Sequence, residues 1–405
     1  MAKEIGRKGY ESNLINFILI VVAGMNVFDH GSIVLLAFAV LNLFFVSKKT
    51  TVAIDIQMIV LFLFVVISSV ASFGFLQVGD AFVETIKITN YFTLYFTAKA
   101  GYQMSTNKDK YIKNTIFAMF LGVFINLALF YFYNLSLGGG EISGRFLVNI
   151  WTGEEIRATL IGLLSCVVVG YSFYGIFISK KIIVKLMSLG ALVVAFAVNF
   201  GTATRTPLIM FFVVYLFLVF VILFSRAGRV HLKTIFFVLM FIVLIIALIG
   251  LNAFGLKDFI VSSPLYYRLV ESGLETSRMT IVKNYFKIMP QNLWGGGVLS
   301  QSLGKTPHNL WQQVYDIYGL FPMVLMIVST IQSIVVFVAL LKQTRTSRVA
   351  ILMVSVMLAM LLQCAMEPII TGFPILLWFL LMITGMANSW IEDVKNGNLP
   401  LSEQK

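Results

Sequence analysis

Residues 207–250 read PLIMFFVVYLFLVFVILFSRAGRVHLKTIFFVLMFIVLIIALIG, and this stretch decides the fold. Two long apolar runs flank a short basic segment containing Arg226, Arg229 and Lys233. Each run approaches the ~20 residues a helix needs to cross a ~30 Å hydrocarbon core. Their continuity excludes the alternating pattern of a membrane β-barrel. The same texture fills the chain: 59% of its 405 residues are hydrophobic, 12% are charged, and the mean hydropathy is +0.93. A soluble domain carries roughly 25% charge, so too little is present to solvate a surface of this length.

Working outward, helices are expected near 13–30, 32–46, 52–74, 81–100, 112–134, 156–178, 183–200, 207–225, 234–255, 309–341, 349–366 and 373–390. The expected fold class is therefore an all-α integral membrane protein of about twelve transmembrane helices, a single polytopic domain over residues 1–405. Lys3, Arg7 and Lys8 precede the first apolar stretch without a small-residue cleavage site after it, which reads as a retained first helix. Both cysteines, Cys166 and Cys364, lie within apolar runs and read as small packing residues rather than disulfide partners or metal ligands.

Alternate loops differ in charge. Twenty basic residues fall on one side, in clusters such as Lys180, Lys181, Lys185 and Arg226, Arg229, Lys233. Nine fall on the other: Arg145, Arg157, Arg205, Lys257, Arg268, Arg278, Lys283, Lys287 and Lys305. The positive-inside rule makes the first side cytoplasmic, with both termini there. Two outer loops are long. One spans about 134–155. The other, 256–308, is a large extracytoplasmic loop of roughly fifty residues that directs attention to the outer face.

The outer-facing basic residues are the candidates for chemistry. Arg205 stands between the seventh and eighth helices, before Thr206-Pro207, which reads as an N-cap and first helical residue. A helix start beside a guanidinium suits a phosphate, although an interfacial Arg also reaches lipid headgroups. Residues 277–289 form an amphipathic pattern in which Val282, Tyr285 and Met289 share a face with Arg278. A charge on that face needs an anionic partner; Lys283 and Lys287, opposite, read as headgroup contacts. His308 opens the tenth helix, where the dipole disfavours imidazolium and leaves a neutral ring able to accept a proton. It reads as a general base or as an ordinary interfacial histidine. Gln312 and Tyr315 share its face and suit sugar hydroxyls. The tenth run is long enough to bend near Gly319 and Pro322. Thr152-Gly153-Glu154-Glu155 reads as a capping box for the sixth helix, placing Arg157 one turn in. Arg145 and Arg157 read as sugar-binding or as loop and headgroup residues. Glu84 and Lys87 read as an i,i+3 pair, and Glu271, Glu275 and Asp316 as rival bases ranked below His308.

Three stretches resemble the bacterial O-antigen polymerase and O-antigen ligase superfamily: Gly201-Thr202-Ala203-Thr204-Arg205-Thr206, Ser277-Arg278 through Trp294-Gly295-Gly296-Gly297-Val298, and Pro307-His308-Asn309 through Gly319. The last matches the ligase signature at His308, Asn309 and Gly319, and departs from it at Pro322. The resemblance implies a GT-C-like membrane glycosyltransferase with short amphipathic helices in its large outer loop. The implied donor is a glycan on undecaprenyl diphosphate, transferred with inversion, without metal or cofactor, at the outer face of the cell inner membrane. Arg205 and Arg278 would hold the diphosphate, and His308 would serve the acceptor as base or contact the diphosphate. Asn309, Gln312, Tyr315, Arg145 and Arg157 would bind sugars.

The main expectation is a polymerase of O-antigen or capsule-type polysaccharide, acting with membrane lipids, a glycan acceptor, and a separate flippase and chain-length regulator as partners. The departure at Pro322 favours it over a ligase transferring glycan to lipopolysaccharide core. The expectation of a different class is a flippase for the same lipid-linked units. Against it, the marked residues sit at helix ends rather than mid-membrane. No nucleic-acid role is expected from the net charge of +12, because the basic residues follow the loops.

Overall fold

The computed structural model of the chain describes residues 13–45, 52–140, 142, 145–223, 228–272, 277–344 and 347–397. In order, the helices are α1 (Asn13–Met25), α2 (Gly31–Phe45), α3 (Ile56–Phe75), α4 (Val78–Met104) and α5 (Lys108–Leu137). A hairpin of β1 (Phe146–Val148) and β2 (Glu155–Arg157) follows, then α6 (Ala158–Phe173), which continues into a π-helical turn over Tyr174–Ile178. After it come α7 (Ile182–Gly201), α8 (Thr206–Leu223), α9 (Gly228–Gly250), α10 (Leu256–Ser262), α11 (Pro264–Ser272), α12 (Ser277–Ile288) and α13 (Val298–Leu303). The last are α14 (Leu310–Tyr318), α15 (Leu320–Gln343), α16 (Arg348–Met366), α17 (Ile369–Gly372) and α18 (Ile375–Lys395).

Among the described residues, seven helices are long and apolar enough to cross a membrane: α3, α5, α6 with its π turn, α7, α15, α16 and α18. An eighth is reached if the bent pair Leu239–Gly250 and Ala253–Ser262 forms one span. The chain is an all-α membrane protein. Burial sorts these helices by position. In α18, 89% of the apolar window is buried inside the protein, against 33% in α3 and α7. A helix apolar all round and also buried is a core helix, whereas the exposed Phe62, Val70 and Val193 of the outer ones fit a hydrocarbon surround.

Three boundaries differ from expectation. The apolar run through Phe254 does not stay helical, because Asn252 and Phe254 adopt left-handed φ of 49° and 56°. Asn252 Oδ1 accepts from the Lys257 and Asp258 amides (2.9 and 3.2 Å), so its side chain starts α10 and the pair bends by 93°. The Thr152–Glu155 segment is no capping box: Glu155-Ile156-Arg157 is a strand, and Arg157 is the extended residue just ahead of α6. The expected bend of the tenth run is a complete break at Gly319, between α14 and α15.

Backbone contacts group the chain into two compact units. Residues 1–122, 276–339 and 361–401 form one, and 123–275, 340–360 and 402–405 the other. The division falls inside the 256–308 segment. Within the first unit α18 packs along α4 so closely that a Cβ on Gly385 would lie 2.5 Å from the Tyr95 carbonyl oxygen. At one end of this pair, Asp55 caps α3 by accepting from the Met58 amide (2.8 Å). Its other oxygen accepts from Lys99 Nζ (2.6 Å), Tyr95 Oη (2.7 Å) and Asn388 Nδ2 (2.9 Å). Lys99 is fully buried. A little further on, Asp393 accepts from Tyr102 Oη (2.9 Å) and pairs with Lys108. Within the second unit α6 lies against α7 and α8, and Gly162 admits the Thr204 methyl, 3.0 Å from where a Cβ would stand.

Candidate functional site

In the second unit, α7 ends in a Schellman turn. The Thr204 amide donates to Asn199 O (3.0 Å) and the Ala203 amide to Phe200 O (3.4 Å), with Ala203 left-handed at φ 54°. Glycine is the usual occupant of that position, and a non-glycine residue held there is a local strain of the kind found at working sites. The turn is packed rather than loose. Thr202, Ala203, Thr204 and Thr206 are buried, Thr202 Oγ1 donates to Val198 O (2.9 Å), and Thr204 Oγ1 donates to Ala158 O (3.4 Å). Asn199 Nδ2 donates to Ser165 Oγ and to Ala195 O, both at 2.6 Å.

Arg205 follows directly. Its carbonyl accepts from the Ile209 amide (3.2 Å), which makes Arg205 itself the N-cap, with Thr206 and Pro207 inside the first turn of α8. The helix starts one residue earlier than the Thr206-Pro207 pair suggests. A half-buried arginine thus occupies the N-cap at the positive end of an 18-residue helix dipole. Two positive sources at one point favour an anion between them.

The hairpin lies in the same unit. Asn134, near the end of α5, pins it by donating to Val148 O (2.9 Å) and accepting from the Val148 amide (2.8 Å). Phe146 pairs with Arg157, and the Ala158 amide donates to Arg145 O (2.8 Å). The two arginines therefore occupy adjacent rungs, and both are exposed.

In the first unit, the residues around His308 are organised by a glycine turn. Gly295, Gly296 and Gly297 all have left-handed φ (92°, 81° and 72°). The Gly296 amide donates to Ile317 O (3.0 Å) and the Gly297 amide to Asp316 O (2.7 Å), closing off the last carbonyls of α14. The Leu320 amide donates to Leu293 O (2.9 Å), so α15 restarts from the same turn. A Cβ on Gly295 would lie 2.6 Å from the Gly319 nitrogen, and one on Gly319 (φ 93°) 2.7 Å from Leu293 O. Gly319→Ala is expected to cost about 1–3 kcal/mol from backbone strain alone, with the steric clash added. A thermal melt of the purified protein checks this, with Gly304→Ala, whose Cβ would meet nothing, showing only the smaller strain cost.

Asp316 is buried and accepts from the Leu299 and Ser300 amides (3.1 and 3.0 Å), capping α13. Of the rival bases, Asp316 thus has a structural task, while Glu275 and the side chain of Glu271 lie outside the described residues. α12 buries Ile281 and Tyr285, with Met289 just beyond its end, against Leu299 and Tyr315, and exposes Lys283, Asn284 and Lys287. Full burial of a side chain the size of Tyr285 contributes ~1.5–3 kcal/mol. Its hydroxyl donates to Lys305 O (2.7 Å); burial, followed by the nearby Asp316 charge, pushes the phenol well above its ordinary pKa. Tyr285 stays neutral and serves as a hydrogen-bond post. Arg278 lies two turns before Tyr285 on the same stripe by helical periodicity; its side chain lies outside the described residues.

His308 is half-buried and stands one position before Asn309, the N-cap of α14. Asn309 Oδ1 accepts from the Gln312 amide (2.9 Å), and its Nδ2 donates to Gln312 Oε1 (2.8 Å). Gln312 Nε2 in turn donates to Val282 O (3.1 Å), and the Tyr315 hydroxyl donates to Met289 O. Asn309, Gln312 and Tyr315, expected as sugar contacts, are buried and spend these polar atoms tying α14 to α12. Asn309 thereby caps the helix start that His308 immediately precedes.

No protein-family model matches the chain, and no curated protein matches its sequence. The site residues therefore stand on their geometry. Arg145, Arg157 and Arg205 belong to one unit, and Arg278, His308, Asn309, Gln312 and Tyr315 to the other. The Glu84–Lys87 pair expected from the sequence is present (3.5 Å). Tyr318 Oη also donates to Glu84, so the carboxylate fastens α4 to the end of α14, a further partner that the i,i+3 spacing does not show. The Asp55–Lys99 pair was hidden because Lys99 counts as a loop cation when only charge is tallied. The local signal was Asp55 itself, a good N-cap before an apolar run.

Proposed function

We propose that the chain is a membrane polysaccharide polymerase of O-antigen or capsule type. It would join repeat units carried on undecaprenyl diphosphate, at the outer face of the cytoplasmic membrane. The observation that carries this reading is Arg205 as N-cap of α8, a cation set on a positive helix end in a tightly packed turn. Orientation follows from charge: α8 runs from Arg205 towards the basic segment of Arg226, Arg229 and Lys233, so Arg205 faces outward if that segment is cytoplasmic. Twelve spans result when the bent α9, the shorter α1, α2 and α8, and the charged α4 join the seven long helices. Both termini then lie in the cytoplasm, and the GT-C-like arrangement implied by the family resemblance applies.

In this reading Arg205 stabilises the charge that develops on the diphosphate as the glycosidic carbon leaves it, and the family resemblance assigns Arg278 the same task. His308 takes the proton of the attacking acceptor hydroxyl, or holds the diphosphate. Arg145 and Arg157 contact donor or acceptor sugars, while Asn309, Gln312 and Tyr315 position His308. His308→Ala is expected to lower turnover about 10²–10⁴-fold with little change in donor binding, measured by single-turnover transfer. Near-normal turnover removes the base role.

A ligase uses the same donor and remains the nearest alternative, since His308, Asn309 and Gly319 match the ligase signature while Pro322 departs from it. Incubation with lipid-linked repeats and a core acceptor separates the two: core-linked products alone overturn the polymerase reading. A flippase is the alternative of another class. Inner-face accumulation of lipid-linked units in cells lacking the chain would favour it.

A further inference from the structure

A groove in the second unit has no part in the proposed transfer. It encloses about 490 Å³ and is lined by Ile176, Phe177, Lys185, Phe237, Met240, Phe241 and Leu244. That volume is within the ~300–1,000 Å³ of small-molecule sites. One wall is a stripe of α9: Phe237, Met240, Phe241 and Leu244 recur at i, i+3, i+4 and i+7, the spacing of one helix face. Phe237, Met240 and Leu244 are 61%, 51% and 53% exposed, so the wall is open along its length. The opposite wall comes from the π-helical turn Tyr174–Ile178, and the Phe177 and Phe241 rings meet across the groove with centroids 6.1 Å apart.

That turn is held rigidly. The Ser179 amide donates to Tyr174 O (2.9 Å), Ser172 Oγ donates to Ser188 O (3.1 Å), and a Cβ on Gly175 would lie 1.9 Å from Ser188 Oγ. π turns concentrate at functional sites. The turn leads through residues 179–181 into α7, whose first turn carries Lys185, the lone charged group among the described residues that line the groove. Lys180 and Lys181, both exposed, lie at the same end.

We propose that this groove binds an anionic phospholipid, its phosphate against Lys185 and an acyl chain along the Phe237–Leu244 stripe. The charge complementarity carries the choice: one cation stands in an otherwise apolar described lining, and two more exposed lysines, Lys180 and Lys181, precede it in the chain. Basic pockets between membrane helices hold anionic headgroups in this way. In the orientation given above Lys180, Lys181 and Lys185 are cytoplasmic, so the lipid is one of the inner leaflet. The binding itself does not depend on that orientation, and it can be measured without any transfer reaction.

The test is lipid retention by the purified full chain in detergent, read by native mass spectrometry with phosphatidylglycerol and phosphatidylcholine of identical chains. Wild type is expected to prefer phosphatidylglycerol roughly five-fold, the effect of one basic residue near a headgroup. Lys185→Gln abolishes that preference but keeps phosphatidylcholine retention, and Met240→Trp, which fills the slot, lowers retention of both. Lys181→Gln serves as a charge-matched control and changes the preference less than Lys185→Gln does. Inorganic phosphate in excess leaves the lipid bound. An unchanged preference in Lys185→Gln overturns the proposal, as does undiminished retention in Met240→Trp or displacement of the lipid by free phosphate.

Discussion

On the proposed polymerase reading, Arg205→Ala is expected to lower the rate of chain growth by about 10²–10³-fold, the effect of removing one preorganised charge donor from a developing anion. The fold survives this change for a specific reason. Arg205 caps α8 through its backbone carbonyl, which accepts from the Ile209 amide, and any residue supplies that group. The surrounding turn is held by Thr202, Thr204 and Asn199 rather than by the guanidinium alone. Arg205→Lys restores only part of the rate, because an ammonium lacks the forked geometry that grips two phosphate oxygens. On the same reading, lipid-linked units are expected to reach the outer face in Arg205→Ala cells and to accumulate there unpolymerised. Single-turnover transfer together with leaflet-resolved labelling of the units checks both statements. Full activity in Arg205→Ala would remove the diphosphate role.

Lys99→Met acts on stability instead, with an expected loss of about 3–5 kcal/mol, the range for breaking one side of a buried ion pair. Lys99 is fully buried and its Nζ lies 2.6 Å from Asp55 Oδ2. Removing it leaves a carboxylate that also caps α3 and accepts from Tyr95 and Asn388, so three elements share the damage. The double variant Lys99→Met with Asp55→Asn recovers part of the loss, because the stranded charge is gone while the amide oxygen still caps α3. Thermal melting in detergent reads both. A melting temperature of Lys99→Met equal to wild type would show that the pair contributes nothing.

Most of the helical order was legible from apolar run length, because a lipid surround demands continuous apolarity and the loops between runs are charged. Every expected run contains a helix, from residues 13–30 to 373–390. Legibility failed where a backbone event interrupts an apolar run without changing its composition. Asn252 turns the chain inside the 234–255 run by capping α10 with its own side chain. Gly319 ends α14 because the Trp294–Gly297 turn occupies the space where the helix would continue, a contact between residues some 25 positions apart. Glu155-Ile156-Arg157 pairs with Phe146–Val148, which a local capping pattern cannot foresee.

The candidate site was legible by residue type and less so by task. Arg205 and His308 stand at helix starts, close to where the pattern put them. Asn309, Gln312 and Tyr315 carry polar groups on the right face, yet those groups are consumed by α12 and by each other. A sequence shows which polar atoms a helix face offers. It does not show which carbonyl of a distant segment will take them.

The most direct test of the central claim is transfer by the purified chain in liposomes supplied with undecaprenyl-diphosphate-linked repeat units and no other protein. The expected result is lipid-linked products longer than one repeat, with release of undecaprenyl diphosphate, formed about 10²–10³-fold more slowly by Arg205→Ala. Repeat units that cross the bilayer but never lengthen would contradict it.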